Sequence, residues 1–182
     1  MLKNIKTKNL LLVGAGLLLI LPPTKKVVNK IFTKMNNKEF IQFIYPYVKI
    51  IGEKIGVPPI FLLSQIITET GWGKSSLFTK YFNVGGIKAR KGQKFISLLT
   101  TEYINGKKVR IPQNFAVYDN LIDGLANYTK VFQNVNFRQY LNKTTDPDIY
   151  VNLLQSGTKK YATDINYIKN IQNLNKQVSK LV

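Results

Sequence analysis

The chain has 182 residues, of which 45% are hydrophobic and 12% aromatic, so it is long and apolar enough to form one domain with a hydrophobic core. It contains no cysteine and no histidine, which excludes disulfides, thiolate nucleophiles, serine–histidine–aspartate triads and the usual zinc ligands. Any catalysis must therefore depend on carboxylates, hydroxyl groups or lysine.

The charge balance is strongly basic. Lysine and arginine number 27 against 9 acidic residues, which gives a formal net charge of +18. A field of this size attracts polyanions such as nucleic acid, anionic lipid and cell-wall polymers. Nearly all of the basic residues are lysines, whereas base readout and bidentate phosphate binding favour arginine. The composition indicates either a well-solvated surface or diffuse attraction to a polyanion, and no specific recognition of nucleic acid.

The N-terminus combines a basic start with an apolar run. Lys3, Lys6 and Lys8 precede the uninterrupted apolar run 10–21, which Pro22-Pro23 ends. As a helix the run would reach about 18 Å, short of a hydrocarbon core of roughly 30 Å. The pattern is typical of a secretory signal, but no small-x-small cleavage site follows it. A cleaved signal and a membrane anchor both stay open, and we expect an exported or membrane-delivered protein.

Residues 1–36 are predicted to be this leader and a basic linker, and 37–182 a single catalytic domain. Apolar periodicity, capping residues and glycine or proline boundaries predict six helices in this domain. A kink or break is expected at Pro46 in the first. The predicted helical ranges are 39–55, 60–70, 75–82, 121–132, 147–156 and 164–178.

A single β-hairpin is predicted in the middle of the helical domain. The ranges 95–104 and 107–118 read as strands, and they flank Asn105-Gly106, the dipeptide that favours a type I′ turn. A two-residue turn places Glu102 opposite Val109. The sequence therefore predicts an α+β fold, mostly α, with one inserted hairpin.

The chemistry can be located by elimination among the nine carboxylates. Seven of them have an ordinary use as helix caps, first-turn acids or polar-face residues. Glu69 is different, because it follows Leu62 by seven positions and Ile66 by three, on or beside the buried stripe of its helix. It also lies at the helix C-terminus, and burial and the helix dipole both raise a carboxyl pKa, as a general acid requires. The alternative is a surface glutamate paired with Lys74.

Glu102 is the second candidate, although a charge near a strand tip is normally solvent-facing. A mobile hairpin arm would bring this carboxylate over a cleft beside Glu69. The sequence alone leaves both readings open.

Several segments, in order along the chain, resemble one known family. They cover roughly residues 40–175 and resemble the motifs of glycoside hydrolase family 73, the flagellar-muramidase and autolysin type of endo-β-N-acetylglucosaminidase. The matching segments are Val57-Pro58-Pro59, Gln65 to Ser75, Asn83 to Lys88, Thr101-Glu102, Phe115 to Asp119 and Tyr161 to Asp164.

The resemblance implies a lysozyme-like fold with a glycan groove between a helical lobe and a hairpin lobe. It implies catalytic roles for Glu69 as the acid, Glu102 as the second carboxylate and Tyr161 as a groove tyrosine. Trp72 is equally well read as a core residue, and Asp164 as a helix cap. The residues that the resemblance places in substrate binding or groove support are Trp72, Asn83, Lys88, Tyr118, Asp119 and Asp164.

The expected partner is the glycan strand of peptidoglycan, cleaved by a monomer without metal or organic cofactor, in the periplasm, cell wall or a phage particle. The apolar run 10–21 is a candidate membrane contact. Two alternatives stay open: a muramidase or lytic transglycosylase that uses Glu69 alone, and a non-catalytic wall-binding or virion structural protein. Three residues depart from the family pattern and bear on subsite preference, namely Gly85 for phenylalanine, Lys160 for glycine and Ile165 for proline.

Overall fold

A computed structural model describes residues 32–104 and 107–182. The apolar run 10–21 and the turn residues 105–106 lie outside the described residues, so their predicted roles stay predictions. The described helices and strands are α1 Asn37–Ile55, α2 Pro59–Thr70, α3 Ser76–Tyr81, β1 Phe95–Ile104, β2 Lys107–Ala116, α4 Leu121–Tyr128, α5 Pro147–Ser156 and α6 Tyr167–Val178, with short 3₁₀ turns at Thr129–Val131 and Arg138–Tyr140.

Capping residues set both ends of helix α1. Asn36 and Glu39 form a reciprocal capping box, in which each side chain accepts from the other residue's backbone N–H at 2.9 Å. Gly56 ends the helix in the left-handed conformation, with φ of 75°. Of the kink or break expected at Pro46, the break is wrong, because α1 runs unbroken through this residue. Packing of the apolar face against α2 outweighs the hydrogen bond that proline removes.

Helix α2 is the central element of the domain. Its side chains are buried on nearly all sides, as expected for a helix enclosed by others. It packs against α1, α5 and α6. Pro59 occupies the first helical turn and Gly71 ends the helix in the left-handed region, as the sequence predicts. The residues that form the site therefore start from the most constrained helix in the molecule.

The hairpin confirms the predicted pairing. Strands β1 and β2 form a two-stranded antiparallel sheet in which Glu102 is opposite Val109. The even-numbered positions of β1 include Ile96, Leu98 and Thr100, which are partly buried, whereas the odd-numbered Phe95 and Leu99 are exposed. The fold is α+β and mostly α, as predicted.

Several element bounds differ from the prediction by one to four residues. Strand β2 ends at Ala116 instead of 118. Helix α4 ends at Tyr128 and the chain continues as a 3₁₀ turn, where an unbroken helix to 132 is expected. Helix α6 begins at Tyr167 instead of 164, because Asp164 accepts the backbone N–H of Asn166 at 2.9 Å and forms a turn before the helix.

The core extends into the segment assigned to the leader. Phe32 is 1% exposed and packs against the rings of Phe40, Phe43 and Phe78, with centroids 5.0–5.8 Å apart. The Nζ of Lys74 donates to the backbone carbonyl oxygens of Phe32 and Met35, which fastens the same segment. Residues from Phe32 onward thus pack with the domain. Among the described residues, no helix is both long and apolar enough to cross a membrane.

Replacing Phe32 with alanine should lower the free energy of unfolding by roughly 3–5 kcal/mol, because it empties a closely packed aromatic site. Chemical denaturation measures the change. The control is Phe95→Ala, whose ring is 56% exposed, and this change should stay within about 0.5 kcal/mol. Equal losses for the two variants would show that Phe32 does not belong to the core.

Candidate active site

Glu69 lies in the last turn of α2, where one side of its side chain is exposed to solvent. Protein packed around the carboxyl group nevertheless buries it enough to raise the pKa of Glu69. Its position at the C-terminus of the helix acts in the same direction, because the helix dipole disfavours negative charge there. The sequence left open an ion pair between Glu69 and Lys74. In the structure the amine of Lys74 instead donates to the carbonyl oxygens of Phe32 and Met35.

A tight turn directly after Glu69 fixes the end of α2. Gly71, Trp72 and Gly73 all have positive φ, between 55° and 74°. The hydroxyl of Thr70 donates to the Ile66 carbonyl oxygen at 2.6 Å and accepts the N–H of Gly73 at 2.9 Å. A Cβ on Gly73 would lie 2.3 Å from the ring of Phe40, so this position accepts no side chain. The helix end that carries Glu69 is therefore held against α1.

The loop 83–88 forms a second boundary of the site. Asn83 is 1% exposed, and its amide donates to the carbonyl oxygens of Ile87 and Ala116 at 2.9 and 2.8 Å and accepts the N–H of Ile87 at 2.8 Å. These hydrogen bonds give Asn83 a scaffold role, and its predicted contact with substrate stays a prediction. Asn83 ties the loop to the end of β2.

Gly85, in this loop, lies next to the candidate acid. A Cβ placed there would be 3.4 Å from Oε2 of Glu69 and 3.0 Å from the ring of Tyr128, and the residue has φ of +73°. The backbone of the loop thus approaches the carboxylate where the family motif has phenylalanine.

A group of buried tyrosines lies close to Glu69. Tyr128 and Tyr161 have hydroxyl oxygens 3.5 Å apart, and Gln65 bridges Tyr128 at 3.5 Å and Tyr167 at 2.7 Å. Burial raises the pKa of each tyrosine, that of Tyr161 to about 12, and the negative charge of Glu69 raises all three further. These hydroxyl groups therefore keep their protons at neutral pH.

The structure brings together Glu69 and Tyr161, two of the three predicted catalytic residues. For Glu102 it gives the backbone register opposite Val109. Sequence reasoning missed Gln65, Tyr128 and Tyr167 as members of the site. Gln65 is one helical turn before Glu69, and this spacing is the signal that would have identified it. The two tyrosines carry no such local signal.

The other predicted substrate residues lie around this centre. Trp72 is partly buried against the core, which leaves part of its ring for contact. Tyr118 is buried, and burial raises its pKa. Lys88 is exposed, and its backbone forms an isolated antiparallel β-bridge with Phe115 near the end of β2.

Asp119 and Asp164 both make hydrogen bonds within the protein, and their predicted roles in the groove stay predictions. Both carboxylate oxygens of Asp119 accept from the Nζ of Lys94 at 3.0 Å, an exposed bridge that joins the two ends of the hairpin. Asp164 shapes the turn before α6 through Asn166. Asp164 is not the cap of α6, because the residue at the N-cap is Asn166. In the described part of the chain, no three carboxylates come close enough together to hold a metal ion.

Comparison with known proteins gives the family. Residues 45–180 match the glucosaminidase family model, described as mannosyl-glycoprotein endo-beta-N-acetylglucosaminidase. The peptidoglycan hydrolase FlgJ of Salmonella typhimurium is 27% identical over 153 residues, covering 80% of this chain and 48% of that protein. A probable N-acetylmuramidase of Lactococcus lactis subsp. cremoris is 31% identical over 137 residues, covering 72% of this chain and 31% of that protein. The chain thus spans about half or less of these relatives.

A solved structure of one of these relatives has a similar fold. A C-terminally truncated glycoside hydrolase domain of Salmonella typhimurium FlgJ superposes with a TM-score of 0.65 at 25% identity, covering 80% of this chain and 99% of that domain. This likeness confirms the lysozyme-like fold expected from the motifs. Since the family model covers most of the chain, the chain belongs to the glucosaminidase family, in agreement with its resemblance to glycoside hydrolase family 73.

Proposed function

We propose that this chain hydrolyses β-1,4 bonds in the glycan strand of peptidoglycan, as an endo-β-N-acetylglucosaminidase with Glu69 as the general acid. The observation that carries the proposal is the position of Glu69: an accessible carboxyl group whose pKa is raised by burial. A general acid must hold its proton near the working pH and still reach the leaving oxygen. Family membership and the FlgJ-like fold agree with this chemistry.

The reaction begins with proton transfer from Glu69 to the glycosidic oxygen, as the bond to the anomeric carbon breaks. Positive charge then develops on the sugar ring and must be stabilised. Glu102, on β1, is proposed to activate the attacking water or to stabilise this charge. The acetamido group of the substrate is the alternative source of that assistance.

The groove supplies contacts of two kinds. Trp72 offers a partly buried ring on which a sugar face can stack. Tyr161 offers a hydroxyl beside the acid, on a ring stacked at 5.5 Å against Phe132. The net charge of +18 favours retention on anionic wall material outside the cytoplasm.

The cleaved bond is the part of the proposal on which the relatives differ. The family description names a glucosaminidase, and one relative is named a probable N-acetylmuramidase. We propose cleavage after N-acetylglucosamine.

The test is digestion of purified peptidoglycan by the full-length chain, followed by borohydride reduction and mass spectrometry of the products. New reducing N-acetylglucosamine ends are expected. Glu69→Gln should lower their rate of release by about 10²–10⁴-fold, since general acid catalysis contributes on this order. The matched control is Glu53→Gln, which changes an exposed glutamate of α1 and should keep full activity.

Three outcomes separate the alternatives. Reducing or anhydro muramic acid ends would keep Glu69 as the acid but move the cut to the other bond. Equal activity of Glu69→Gln and the wild type would remove Glu69 from the chemistry. Absence of any products from the wild type would leave a wall-binding or structural protein as the better account.

The role of Glu102 has a separate test. Glu102→Gln should lower kcat at least tenfold with little change in KM, because a residue that acts on developing charge or on water contributes to the transition state. The control is Arg110→Gln, a charge change at the neighbouring hairpin pair Thr101–Arg110. Wild-type kcat in Glu102→Gln would instead indicate a reaction that uses a single carboxylate or the acetamido group of the substrate.

A further inference from the structure

Gln65 is a buried amide directly below the catalytic helix end. It is 2% exposed and lies four residues before Glu69, so the two side chains share one face of α2. Its Nε2 donates to the hydroxyl of Tyr167 at 2.7 Å, and its Oε1 accepts from the hydroxyl of Tyr128 at 3.5 Å. A buried carboxamide needs such partners, and both of these are tyrosines of the site.

The amide sets the direction of the hydroxyl protons. Because Oε1 can only accept, the single proton of the Tyr128 hydroxyl is directed to Gln65. The contact between Tyr128 and Tyr161, at 3.5 Å, then requires Tyr161 to be the donor and Tyr128 the acceptor. The oxygen of Tyr161 keeps its lone pairs for a donor that approaches from the substrate side.

The ring of Tyr161 is held by other contacts. It stacks on Phe132 with the planes 7° apart, and it packs against Phe137 and Tyr167 with centroids 5.3 and 5.7 Å away. These aromatic contacts fix the position of the ring without help from Gln65. The contribution of Gln65 is therefore to the hydrogen-bonding direction of the hydroxyl group.

We propose that Gln65 is a positioning residue for the glycosidase reaction: through Tyr128 it presents the Tyr161 hydroxyl oxygen as a hydrogen-bond acceptor beside Glu69. This rests on the proposed function. The Tyr161 oxygen accepts a hydrogen bond from a donor on the bound glycan, such as an acetamido N–H or a sugar hydroxyl, or from the attacking water. The hydrogen bonds at 3.5 Å are long, so a moderate effect on the rate is expected.

The titratable groups that face this network are one carboxyl and four tyrosines. The tyrosines have pKa values raised by burial, so Glu69 is the group among them that changes charge at the lowest pH. A new negative charge at position 65 would oppose the ionisation of Glu69 and raise its pKa. The alkaline limb of the pH–rate profile would then move to higher pH. The tyrosines concerned are Tyr128, Tyr150, Tyr161 and Tyr167.

The experiment measures kcat, KM and pH–rate profiles of the full-length chain on peptidoglycan. Gln65→Met keeps the shape of the side chain and removes both hydrogen bonds, so kcat should fall about tenfold with KM within about twofold, as for loss of roughly one hydrogen bond. Tyr128→Phe should give a similar loss, and the double variant should lose little more, because both remove the same link. Gln65→Glu should move the alkaline limb upward.

The matched control is Tyr150→Phe, which removes a buried hydroxyl that has no hydrogen-bond partner and should leave kcat unchanged. A purely structural role for Gln65 predicts lower unfolding midpoints, additive losses in the double variant and an unmoved limb in Gln65→Glu. That pattern, or wild-type kcat in Gln65→Met, would overturn the inference while the glycosidase activity stands. A wild type that releases no products would overturn the proposed function and this inference together.

Discussion

The burial of one carboxyl group is the constraint on which the rest of the site depends. Glu69 must stay open to a sugar on one side and be surrounded by protein on the other, since water on all sides would return its pKa to the ordinary range. The end of α2 meets both requirements. The helix is enclosed by α1, α5 and α6, and the three left-handed residues that follow Thr70 turn the chain away immediately.

The remaining elements supply the floor and walls around that carboxyl group. Tyr128 of α4 and Tyr167 of α6 form hydrogen bonds with Gln65 beneath it, and Tyr161 contacts Tyr128. Burial keeps all three tyrosines protonated. Gly85 brings the backbone of a loop within reach of the carboxylate. The hairpin carries Glu102, the second proposed carboxylate, and Asn83 and the Asp119–Lys94 bridge make contacts at its base. The same scaffold therefore sets both the acidity of Glu69 and the access to it.

Most of the fold was predictable because its signals are local. Capping residues and left-handed glycines bound the helices, and the strand patterns on either side of the expected two-residue turn predict the pairing of Ile104 with Lys107 that the hairpin shows. Glu69 was predictable as a candidate for the same reason, since it follows buried Ile66 by three residues and buried Leu62 by seven. The uninterrupted passage of α1 through Pro46 was not, because tertiary packing decides it.

The floor of the site could not be predicted, because it depends on contacts between distant residues. Gln65 and Tyr167 are separated by 102 positions, and nothing in the pattern around either indicates the other. Phe32 was assigned to a basic linker because its neighbours are lysines, although its ring enters the core. Asn83 stands in a motif that suggests groove contact, and its hydrogen bonds are visible only when Ala116 is folded against it.

The central claim is that burial raises the pKa of Glu69 above the ordinary glutamate value. Titration of this side chain tests it most directly. The chain has four glutamates, so carbon NMR of protein labelled at the glutamate carboxyl carbon gives four signals, and Glu69→Gln assigns the one of interest. The account predicts that Glu69 titrates above the ordinary glutamate value of about 4.3. A pKa at or below that value would contradict the account and remove the physical basis for Glu69 as the general acid.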